Sequence, residues 1–307
     1  MQLYHSFAEV QLADPTILTI GKFNGLHLGH RALLLQVVAR AKELGATSAA
    51  LTFDPHPTVV LQPEHKQVYL APHAERLQAI AATDIEHVIV LHYNDQLRQL
   101  SAEQFMRQLC AHINLRELWV GPEFRLGYRA QGTVEVLTQL GEQLGYTVQP
   151  ITKLEIDGAP ISASRIRELL QAGRVADVVP LLGRPFAVVG EVVRGNQRGR
   201  TIGFPTANVA VDPQHLLPAD GVYACQVTLA DGSHHPAVTN VGVRPTFGVL
   251  ARTVEAHLLH WSGDLYGQTM RVAFVERLRG EQKFSGIEEL KAQIARDAQR
   301  AGEVLGV

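Results

Sequence analysis

Two histidines separated by two residues stand where a predicted strand gives way to a predicted helix. The stretch TIGKFNGLHLGH contains His27 and His30, with glycines on both sides. The free N–H groups and the dipole of a helix N-terminus attract phosphate, and imidazoles can donate hydrogen bonds to phosphate oxygens in a transition state. Gly21 and Gly25 would let the backbone approach such a ligand closely. The stretch indicates a phosphate site that needs no further nucleophile if the attacking group is itself a phosphate.

Two other interpretations of these histidines remain open. They could belong to an ordinary surface turn, because short motifs also occur by chance. Together with His56 of FDPHP they could bind zinc, although no third ligand stands at a spacing typical of metal sites. The strand-like segment before the pair and the helical segment after it favour the phosphate site.

A second candidate site lies in the stretch PISASRIRELLQAG. Ser162 or Ser164 can cap a helix, and Arg165 and Arg167 fall in its first turns. Cations at this end of a helix oppose its dipole, at a cost of some tenths of a kcal/mol. Their position is explained if an anion binds between them. The alternative is a solvated basic helix face.

Composition limits the class of protein. The chain has 307 residues, of which 46% are hydrophobic and 19% charged, so it can bury a large core and is not intrinsically disordered. A net charge of −2 argues against extensive nucleic-acid binding. Cys110 and Cys225 form neither a disulfide framework nor a zinc cluster, which predicts a reducing cytoplasm. We expect no secretory signal and no membrane span.

Strand-like and helix-like segments alternate in the first half of the chain. Residues 16–23 and 48–53 are typical of strands, whereas residues 31–44 carry an apolar helical stripe that ends at a glycine. This alternation predicts a parallel sheet with helices on its faces. Such sheets bind ligands at the carboxyl ends of their strands, which is where the histidine pair falls.

The pattern changes after LLGRPF, residues 181–186. Short apolar strands then follow one another, and no helical pattern intervenes before residues 286–305. This arrangement indicates an antiparallel barrel with a terminal helix. The predicted fold is an α/β domain over residues 1–182, followed by an antiparallel β-barrel domain over residues 183–307.

The motifs resemble those of a known family. HxGH followed by ISxxxIR resembles the nucleotidyltransferase superfamily, which transfers an adenylyl or cytidylyl group. The whole chain resembles the bacterial bifunctional riboflavin kinase/FMN adenylyltransferase (FAD synthetase) family. The N-terminal motifs are GKFNGLHLGH, LTFDPHP, VGPEFRLG and ISASRIRELLQAGRVADVVPLLGRP; the C-terminal ones are GEVVRGNQRGRTIGFPTANV, LPADGVYA, NVGVRPTFG, DLYGQ and LRGEQKF. The resemblance implies a Rossmann-like nucleotidyltransferase domain followed by a riboflavin kinase barrel.

The resemblance implies roles for residues of the N-terminal half. His27 and His30 would bind the ATP phosphates and, with Arg167, act in adenylyl transfer. The phosphate of FMN would attack the α-phosphate of ATP and release pyrophosphate, with Mg²⁺ offsetting the charge. Asp54 and His56 would line the flavin or metal side. The predicted nucleotide- and flavin-binding residues are Gly21, Phe23, Asn24, Gly25, Asp54, His56, Glu123, Ser162 and Ser164.

The resemblance also implies roles in the C-terminal half. Thr206 and Asn208 of GFPTAN would bind Mg²⁺ and the ATP phosphates, since oxygen donors suit that cation. Glu255 would orient or deprotonate the ribityl 5′-hydroxyl, and Arg244 and the LRGEQKF segment would lie near the flavin or nucleotide. Alternatively, Thr206 and Asn208 could be ordinary turn residues, and Glu255 could be an exposed carboxylate on a strand. The other predicted nucleotide-binding residues, from RGNQRGR and GFPTAN, are Gly195, Arg200, Gly203 and Pro205.

Four departures from the family's usual motifs bear on activity. Asn24 replaces an Asp and keeps its shape but not its charge, and Glu123 is longer by one methylene than the usual Asp or Asn. Ala163 lacks a hydroxyl, whereas Ser164 retains one in place of Thr, and His260 replaces an Asp beside the kinase motifs. Charge-assisted contacts contribute about 1.5–3 kcal/mol. The departures therefore concern the adenylyltransferase half more than the kinase half.

The resulting hypothesis is a cytoplasmic, Mg²⁺-dependent enzyme that phosphorylates riboflavin to FMN and then adenylates FMN to FAD. Its partners would be riboflavin, FMN and ATP, with no nucleic acid and no membrane. The chain would be a monomer or a weak homo-oligomer. Two alternatives are a riboflavin kinase whose N-terminal domain is impaired by Asn24 and Glu123, and a flavin- or nucleotide-binding regulator without turnover.

Overall fold

The chain divides into two compact units, Met1–Ser162 and Ala163–Val307. The computed structural model describes residues 1–64, 69–195, 199, 202–246 and 249–307. None of the described helices combines the length and the apolar character that crossing a membrane requires. The helices between residue 163 and residue 182 belong to the second compact unit. The domain limits 1–182 and 183–307 stay a prediction.

A six-stranded parallel sheet forms the centre of the first unit. Its strands are β1 (Gln2–Tyr4), β2 (Leu12–Ile20), β3 (Thr47–Asp54), β4 (His87–His92), β5 (Ile113–Val120) and β6 (Thr147–Pro150). Their spatial order is β1-β4-β3-β2-β5-β6, and every neighbouring pair is parallel. The chain order changes direction between β2 and β5. The crevice beyond the carboxyl ends of these two strands is therefore where such a sheet binds ligands.

Helices cover both faces of this sheet. They are α1 (Leu28–Leu44), α2 (Pro57–Leu61), α3 (His73–Ala81), α4 (Asp95–Gln99), α5 (Ala102–His112) and α6 (Val134–Leu144). Successive residues of a strand point to opposite faces. Accordingly Ile17 belongs to a buried cluster with Leu34 of α1, whereas Leu18 belongs to another with Phe105 of α5. Burial on both faces explains why the strands read as uninterrupted apolar runs.

The first unit ends in a small hairpin, and the second unit contains a closed antiparallel barrel. The hairpin strands are β7 (Glu155–Ile156) and β8 (Ala159–Pro160); the helices before the barrel are α7 (Ala163–Gln171) and α8 (Val179–Leu182). The barrel strands are β9 (Phe186–Val193), β10 (Ala207–Val211), β11 (Gly221–Thr228), β12 (His234–Thr246), β13 (Val249–Leu258) and β14 (Thr269–Arg279). Their order is β10-β13-β12-β11-β14-β9, closed by pairing of β9 with β10. The predicted fold class is confirmed.

The terminal helix α9 (Ile287–Leu305) is fixed to the barrel by a buried ion pair. Arg279, from the LRGEQKF segment, donates through Nε to both carboxylate oxygens of Asp297, at 3.1 and 3.0 Å, and through Nη2 at 2.8 Å. Gln293 donates a further hydrogen bond to the same carboxylate, at 2.8 Å. Ala301 of the helix packs with Val222 of β11. The arginine of LRGEQKF therefore anchors the terminal helix.

Two candidate nucleotide sites

The loop between β2 and α1, residues 21–27, has an unusual backbone. Phe23 (φ 46°), Gly25 (φ 76°) and Leu26 (φ 38°) lie in the left-handed region. For a residue with a side chain this costs about 1–3 kcal/mol, and it persists only where the surroundings impose it. Phe23 is completely buried, and a Cβ on Gly21 would lie 2.9 Å from its ring. We call residues 21–27 the histidine loop; its strain is of the kind found at ligand sites.

His27 is the N-cap residue of α1. Its Nδ1 accepts a hydrogen bond from the backbone N–H of His30 at 3.3 Å. A neutral imidazole carries one N–H, so the proton of His27 then lies on Nε2. The two imidazole rings stack with centroids 3.7 Å apart. A Cβ on Gly29 would lie 3.2 Å from Nδ1 of His27, so the glycine leaves room for this ring. The capping bond thus leaves Nε2–H as a donor for a ligand.

Both imidazoles are held in the neutral form. Burial lowers the pKa of His27 to about 4 and places the pKa of His30 well below its usual 6.5, an effect that the neighbouring ring reinforces. The Nδ1 atom of His30 is buried and has no hydrogen-bond partner among the described residues. The ring of Phe23 meets His30 edge-on, with centroids 5.4 Å apart. A bound polyphosphate would favour protonation of either ring.

Asp54 and His56 both follow β3 but have different surroundings. The side chain of Asp54 is 41% exposed, and its Oδ1 lies 3.1 Å from Nδ1 of His73 and 3.3 Å from Nη2 of Arg76. His56 is buried and caps α2, where its Nδ1 accepts from the N–H of Thr58 at 3.2 Å. Within the described ranges, no group of three metal-ligating side chains occurs. The zinc interpretation therefore gains no support from these residues.

Arg76 is a residue of this region that the sequence analysis missed. Its side chain is 1% exposed. It donates from Nη1 to the carbonyl oxygen of Lys22 at 3.4 Å and from Nη2 to that of Phe53 at 3.2 Å. Nη2 also donates to Nδ1 of His73 at 2.7 Å. Arg76 and Ile80 are the buried residues of α3, and this i, i+4 spacing was the available sequence signal.

Glu123 and Ser162 are the remaining predicted residues of the first unit. The side chain of Glu123 is 81% exposed, and its Oε2 lies 2.6 Å from Nζ of Lys153, which lowers the pKa of the carboxyl. Ser162 is half-buried. Its neighbour Ile161 lies beside the N-terminus of α1, because a Cβ on Gly29 would be 3.9 Å from the Ile161 carbonyl oxygen.

Ser164 and Arg167 lie on α7, which belongs to the second compact unit. Ser164 is exposed in the first turn. Arg167 is half-buried, and burial lowers the pKa of its guanidinium. Ile166 and Leu170 form the buried side of the helix. The joint action of Arg167 with the histidine pair stays a prediction.

Glu255 lies on β13 between two asparagines of the neighbouring strands. It is paired in register with Asn208 of β10 and with Asn240 of β12. Paired residues of adjacent strands point to the same face of a sheet, so an amide flanks the carboxylate on each side. Thr253 donates from Oγ1 to Oε1 of Glu255 at 3.4 Å. The structure thus brings Asn208 and Glu255 together, and it adds Asn240, which the sequence analysis missed.

Glycine backbone lies directly against two of the predicted kinase residues. A Cβ on Gly195 would lie 2.5 Å from Nδ2 of Asn208, and one on Gly199 would lie 3.4 Å from Oγ1 of Thr206. Any side chain at position 195 would displace the amide. The absence of side chains at Gly195 and Gly199 therefore allows the backbone at these two positions to lie close to the polar groups of Asn208 and Thr206.

The turn before β10 is held by a histidine of β13. The Nδ1 atom of His257 donates to the carbonyl oxygen of Pro205 at 2.8 Å. The ring of Phe204 meets that of His257 edge-on, with centroids 5.6 Å apart. Gly203 has a φ of 89°, a left-handed conformation that favours glycine. His257 fixes the backbone just before Thr206 and Asn208.

The structure does not describe the side chains of two predicted arginines. Arg200 lies outside the described residues. Arg244 belongs to β12, where its backbone pairs with Ala251, and its side chain lies outside the described part of the chain. Nearby, a Cβ on Gly242 would collide with the carboxylate of Glu281 and would lie 3.3 Å from Nδ2 of Asn240. Glu281 of LRGEQKF therefore lies close to the asparagine that flanks Glu255.

Comparison with known proteins identifies the family. The model of the FAD synthetase family matches residues 10–165, and that of the riboflavin kinase family matches residues 182–305. Over 295 residues the chain is 35% identical to a bifunctional riboflavin kinase/FMN adenylyltransferase of Escherichia coli K12, covering 96% of this chain and 94% of that protein. The chain belongs to the bifunctional riboflavin kinase/FMN adenylyltransferase family. The family predicted from the motifs is confirmed.

Other relatives support the same conclusion over nearly the full length. A bifunctional riboflavin kinase/FMN adenylyltransferase of Pseudomonas fluorescens is 37% identical over 287 residues, with 93% of this chain and 91% of that protein covered. A solved structure titled a macrolide-efflux protein from Streptococcus pneumoniae superposes with a TM-score of 0.87 at 27% identity, and the match covers 97% of both chains. Its fold is therefore similar to that of this family member.

The structure gives a physical reason why this family member accommodates Asn24. The side chain is buried, and its Oδ1 accepts the backbone N–H of Leu70 at 2.8 Å. A carboxylate or an amide oxygen can perform this task equally. A Cβ on Gly25 would lie 2.8 Å from Cβ of Leu70, so the loop is packed tightly here. The exposed departure His260 has a φ of 54°, a conformation that Asp also tolerates.

Proposed function

We propose that the chain makes FAD from riboflavin in two ATP-dependent steps. The barrel would transfer the γ-phosphate of ATP to riboflavin, and the α/β unit would join the resulting FMN to the adenylyl group of a second ATP. The observation that carries the proposal is that the FAD synthetase and riboflavin kinase family models both match this one chain, in that order. The histidine pair and the flanked Glu255 supply chemistry suited to the two steps.

In the kinase step, Glu255 would accept the hydrogen bond of the ribityl 5′-hydroxyl and take its proton as the new bond to the γ-phosphorus forms. The bond between the γ-phosphorus and the β–γ bridging oxygen would break, and ADP would leave. The flanking amides of Asn208 and Asn240 would restrain the carboxylate in its position between the two strands. The hydroxyl of Thr206 and the amide oxygen of Asn208 are donors that fit Mg²⁺ and leave positions for phosphate and water. A magnesium ion bound there would offset the charge of the phosphate oxygens.

In the adenylyl transfer step, a phosphate oxygen of FMN would attack the α-phosphorus of ATP. The bond to the bridging oxygen of the β-phosphate breaks, and pyrophosphate leaves. FMN phosphate is already anionic, so no protein base is required. His27 would donate from Nε2–H to the phosphates at the N-terminus of α1, where donors fixed in advance stabilise the developing charge. Ser162, Ser164 and Arg167 would hold the remaining phosphate oxygens.

A product analysis tests the two steps. The purified chain is incubated with riboflavin, ATP and Mg²⁺, and the three flavins are separated over time. FMN followed by FAD supports the proposal. FMN alone, even when FMN and pyrophosphatase are supplied, would indicate the kinase-only alternative, and tight flavin binding without product would indicate the regulator. Glu255→Gln and His30→Ala serve as complementary controls, because each should block one step and spare the other.

Several narrower statements belong to the same proposal. We expect a cytoplasmic protein, a monomer or weak homo-oligomer, that requires Mg²⁺ and binds no nucleic acid. The domain limits would be 1–182 and 183–307. Light scattering tests the oligomeric state, chelation of Mg²⁺ tests the metal requirement, a gel-shift assay tests nucleic-acid binding, and limited proteolysis tests the domain limits. Loss of both activities on chelation, restored by Mg²⁺, is the expected result for the metal.

A further inference from the structure

We propose that Arg76 is a positioning residue for adenylyl transfer. It would touch no substrate; instead it fixes the ends of β2 and β3, and through them the loop that carries the two histidines. The inference rests on the proposed adenylyl transfer step and concerns a residue outside the motifs by which the family was identified.

The contacts of Arg76 reach the first residues of the histidine loop. Lys22, whose carbonyl oxygen accepts from Nη1 at 3.4 Å, directly precedes the left-handed Phe23. Phe53, whose carbonyl oxygen accepts from Nη2 at 3.2 Å, is the penultimate residue of β3. A guanidinium has five N–H donors in one fixed plane and can serve carbonyls of both strands together. A lysine ammonium cannot reproduce this fork.

Burying the charged side chain of Arg76 would be unfavourable if Arg76 did no more than link two strands. The side chain is 1% exposed, and its Nε has no hydrogen-bond partner within the part of the chain that the structure describes. Its carboxylate partner, Asp54, is 41% exposed and 3.3 Å away. Burying a cation costs several kcal/mol unless it is well paired, and an apolar side chain would often pack at no loss of stability. A buried cation beside a loop that binds phosphates contributes attraction that an apolar residue would not.

The segment that carries Arg76 supports the histidine loop at further points. We call residues 69–76 the support segment. The backbone N–H of Leu70 donates to Asn24, and Leu70 also packs directly on Gly25. Together with the contact between Arg76 and Lys22, this places the support segment against three residues of the loop. These contacts supply the surroundings that the left-handed residues of the loop require.

The test uses the full chain with the variants Arg76→Met and Arg76→Lys and the control Arg40→Met. Arg40 of α1 donates three hydrogen bonds to Glu117, at 3.2, 3.2 and 2.8 Å, in the same unit. It lies ten residues beyond His30, about 15 Å along the helix. The control therefore removes another arginine–carboxylate pair of the same unit, far from the loop, in which the carboxylate rather than the arginine is the buried partner. All variants are compared at a temperature at which circular dichroism shows each to be folded.

The rate of FAD formation from supplied FMN and ATP is the main readout, as kcat and as KM for each substrate. Total flavin phosphorylation from riboflavin, measured in the same preparations, reports on the other unit. We expect Arg76→Met to lower kcat for FAD formation by about 10- to 100-fold, as small misplacements of a site do. Arg76→Lys should be intermediate. Phosphorylation in every variant, and FAD formation in Arg40→Met, should stay within about twofold of the unaltered chain.

NMR spectra of the protein with ¹⁵N-labelled histidine test whether Arg76 sets the position of the histidine loop. A role in stability alone would leave these signals unchanged. The ring signals of His27, assigned with His27→Asn, should shift in Arg76→Lys and stay in place in Arg40→Met, because only the first variant displaces the loop. If Arg76→Met fails to fold, Arg76→Lys decides the question by its kcat and these signals.

Three results would overturn the inference. These are an unchanged kcat in the Arg76 variants, unchanged His27 signals in Arg76→Lys, and an equal loss of FAD formation in Arg40→Met. Failure of the unaltered chain to make FAD would instead refute the proposed function on which the inference rests.

Discussion

Acid should destabilise the first unit through His27, and the variant His27→Asn should remove that effect. Asparagine is a good N-cap residue, so the variant keeps the start of α1 while deleting the imidazole. The folded pKa of His27 is about 4, below the usual 6.5. Between these values the unfolded chain binds more protons than the folded one. Stability therefore rises with pH in this window and is lost as the pH falls below about 6.5.

The magnitude follows from the two pKa values. A group that titrates at 6.5 when unfolded and about 4 when folded lowers the free energy of unfolding by about 2 kcal/mol between about pH 7.5 and about pH 5. The side chain is only 6% exposed, so solvent screening reduces this figure little. The pH dependence of His27→Asn should be smaller than that of the unaltered chain by about this amount.

Urea unfolding at the two pH values measures the effect. The chain has two tryptophans, Trp119 in the first unit and Trp261 in the second. In a Trp261→Phe background, fluorescence reports on the first unit alone. The control His92→Asn deletes an exposed imidazole of the same unit and should keep the original pH dependence. The reasoning is refuted if His27→Asn retains the full pH dependence within about 0.5 kcal/mol.

Three further predictions concern the barrel. Glu255→Gln should lower FMN formation about 10²- to 10⁴-fold, as loss of a general base does, while supplied FMN is still converted to FAD; equal loss of both products in a flavin assay would contradict this. Gly195→Ala places a Cβ 2.5 Å from Nδ2 of Asn208, so kinetic analysis should show impaired phosphorylation with FAD formation from FMN unchanged. Asp297→Ala removes the carboxylate partner of the largely buried Arg279, which should cost up to about 3–5 kcal/mol of barrel stability in urea unfolding; a loss below about 1 kcal/mol would show that the pair contributes little.

Local patterns in the sequence were sufficient to locate most elements but not their ends. The helix expected at residues 31–44 spans Leu28–Leu44. The strand expected at residues 16–23 ends at Ile20. The run of apolar residues continues through Phe23, but the left-handed backbone of Phe23 turns the chain away from the sheet. An apolar residue is needed at position 23 because Phe23 is buried in the loop. The sequence pattern does not distinguish such a residue from one buried in a strand.

Residues whose roles depend on distant contacts were beyond local patterns. Arg76 shares the buried side of a short helix with Ile80, but only the fold brings Lys22 and Phe53 to it. Asn240 becomes significant only through the register of β12 and β13, which places it opposite Glu255. The spacing of polar and charged residues along the chain predicts where a site lies. Which further residues belong to that site depends on how the strands pair.

Because the imidazole of His27 has two tasks, fewer residue types can replace it than helix capping alone would allow. At His27 one ring nitrogen caps the helix while the other remains a donor. Asn, Ser or Asp would preserve the cap and lose the donor, and Lys or Arg would offer a donor without the cap. In a library randomised at position 27, a screen for folded protein should therefore enrich several residues, whereas a screen for FAD synthesis should return histidine alone.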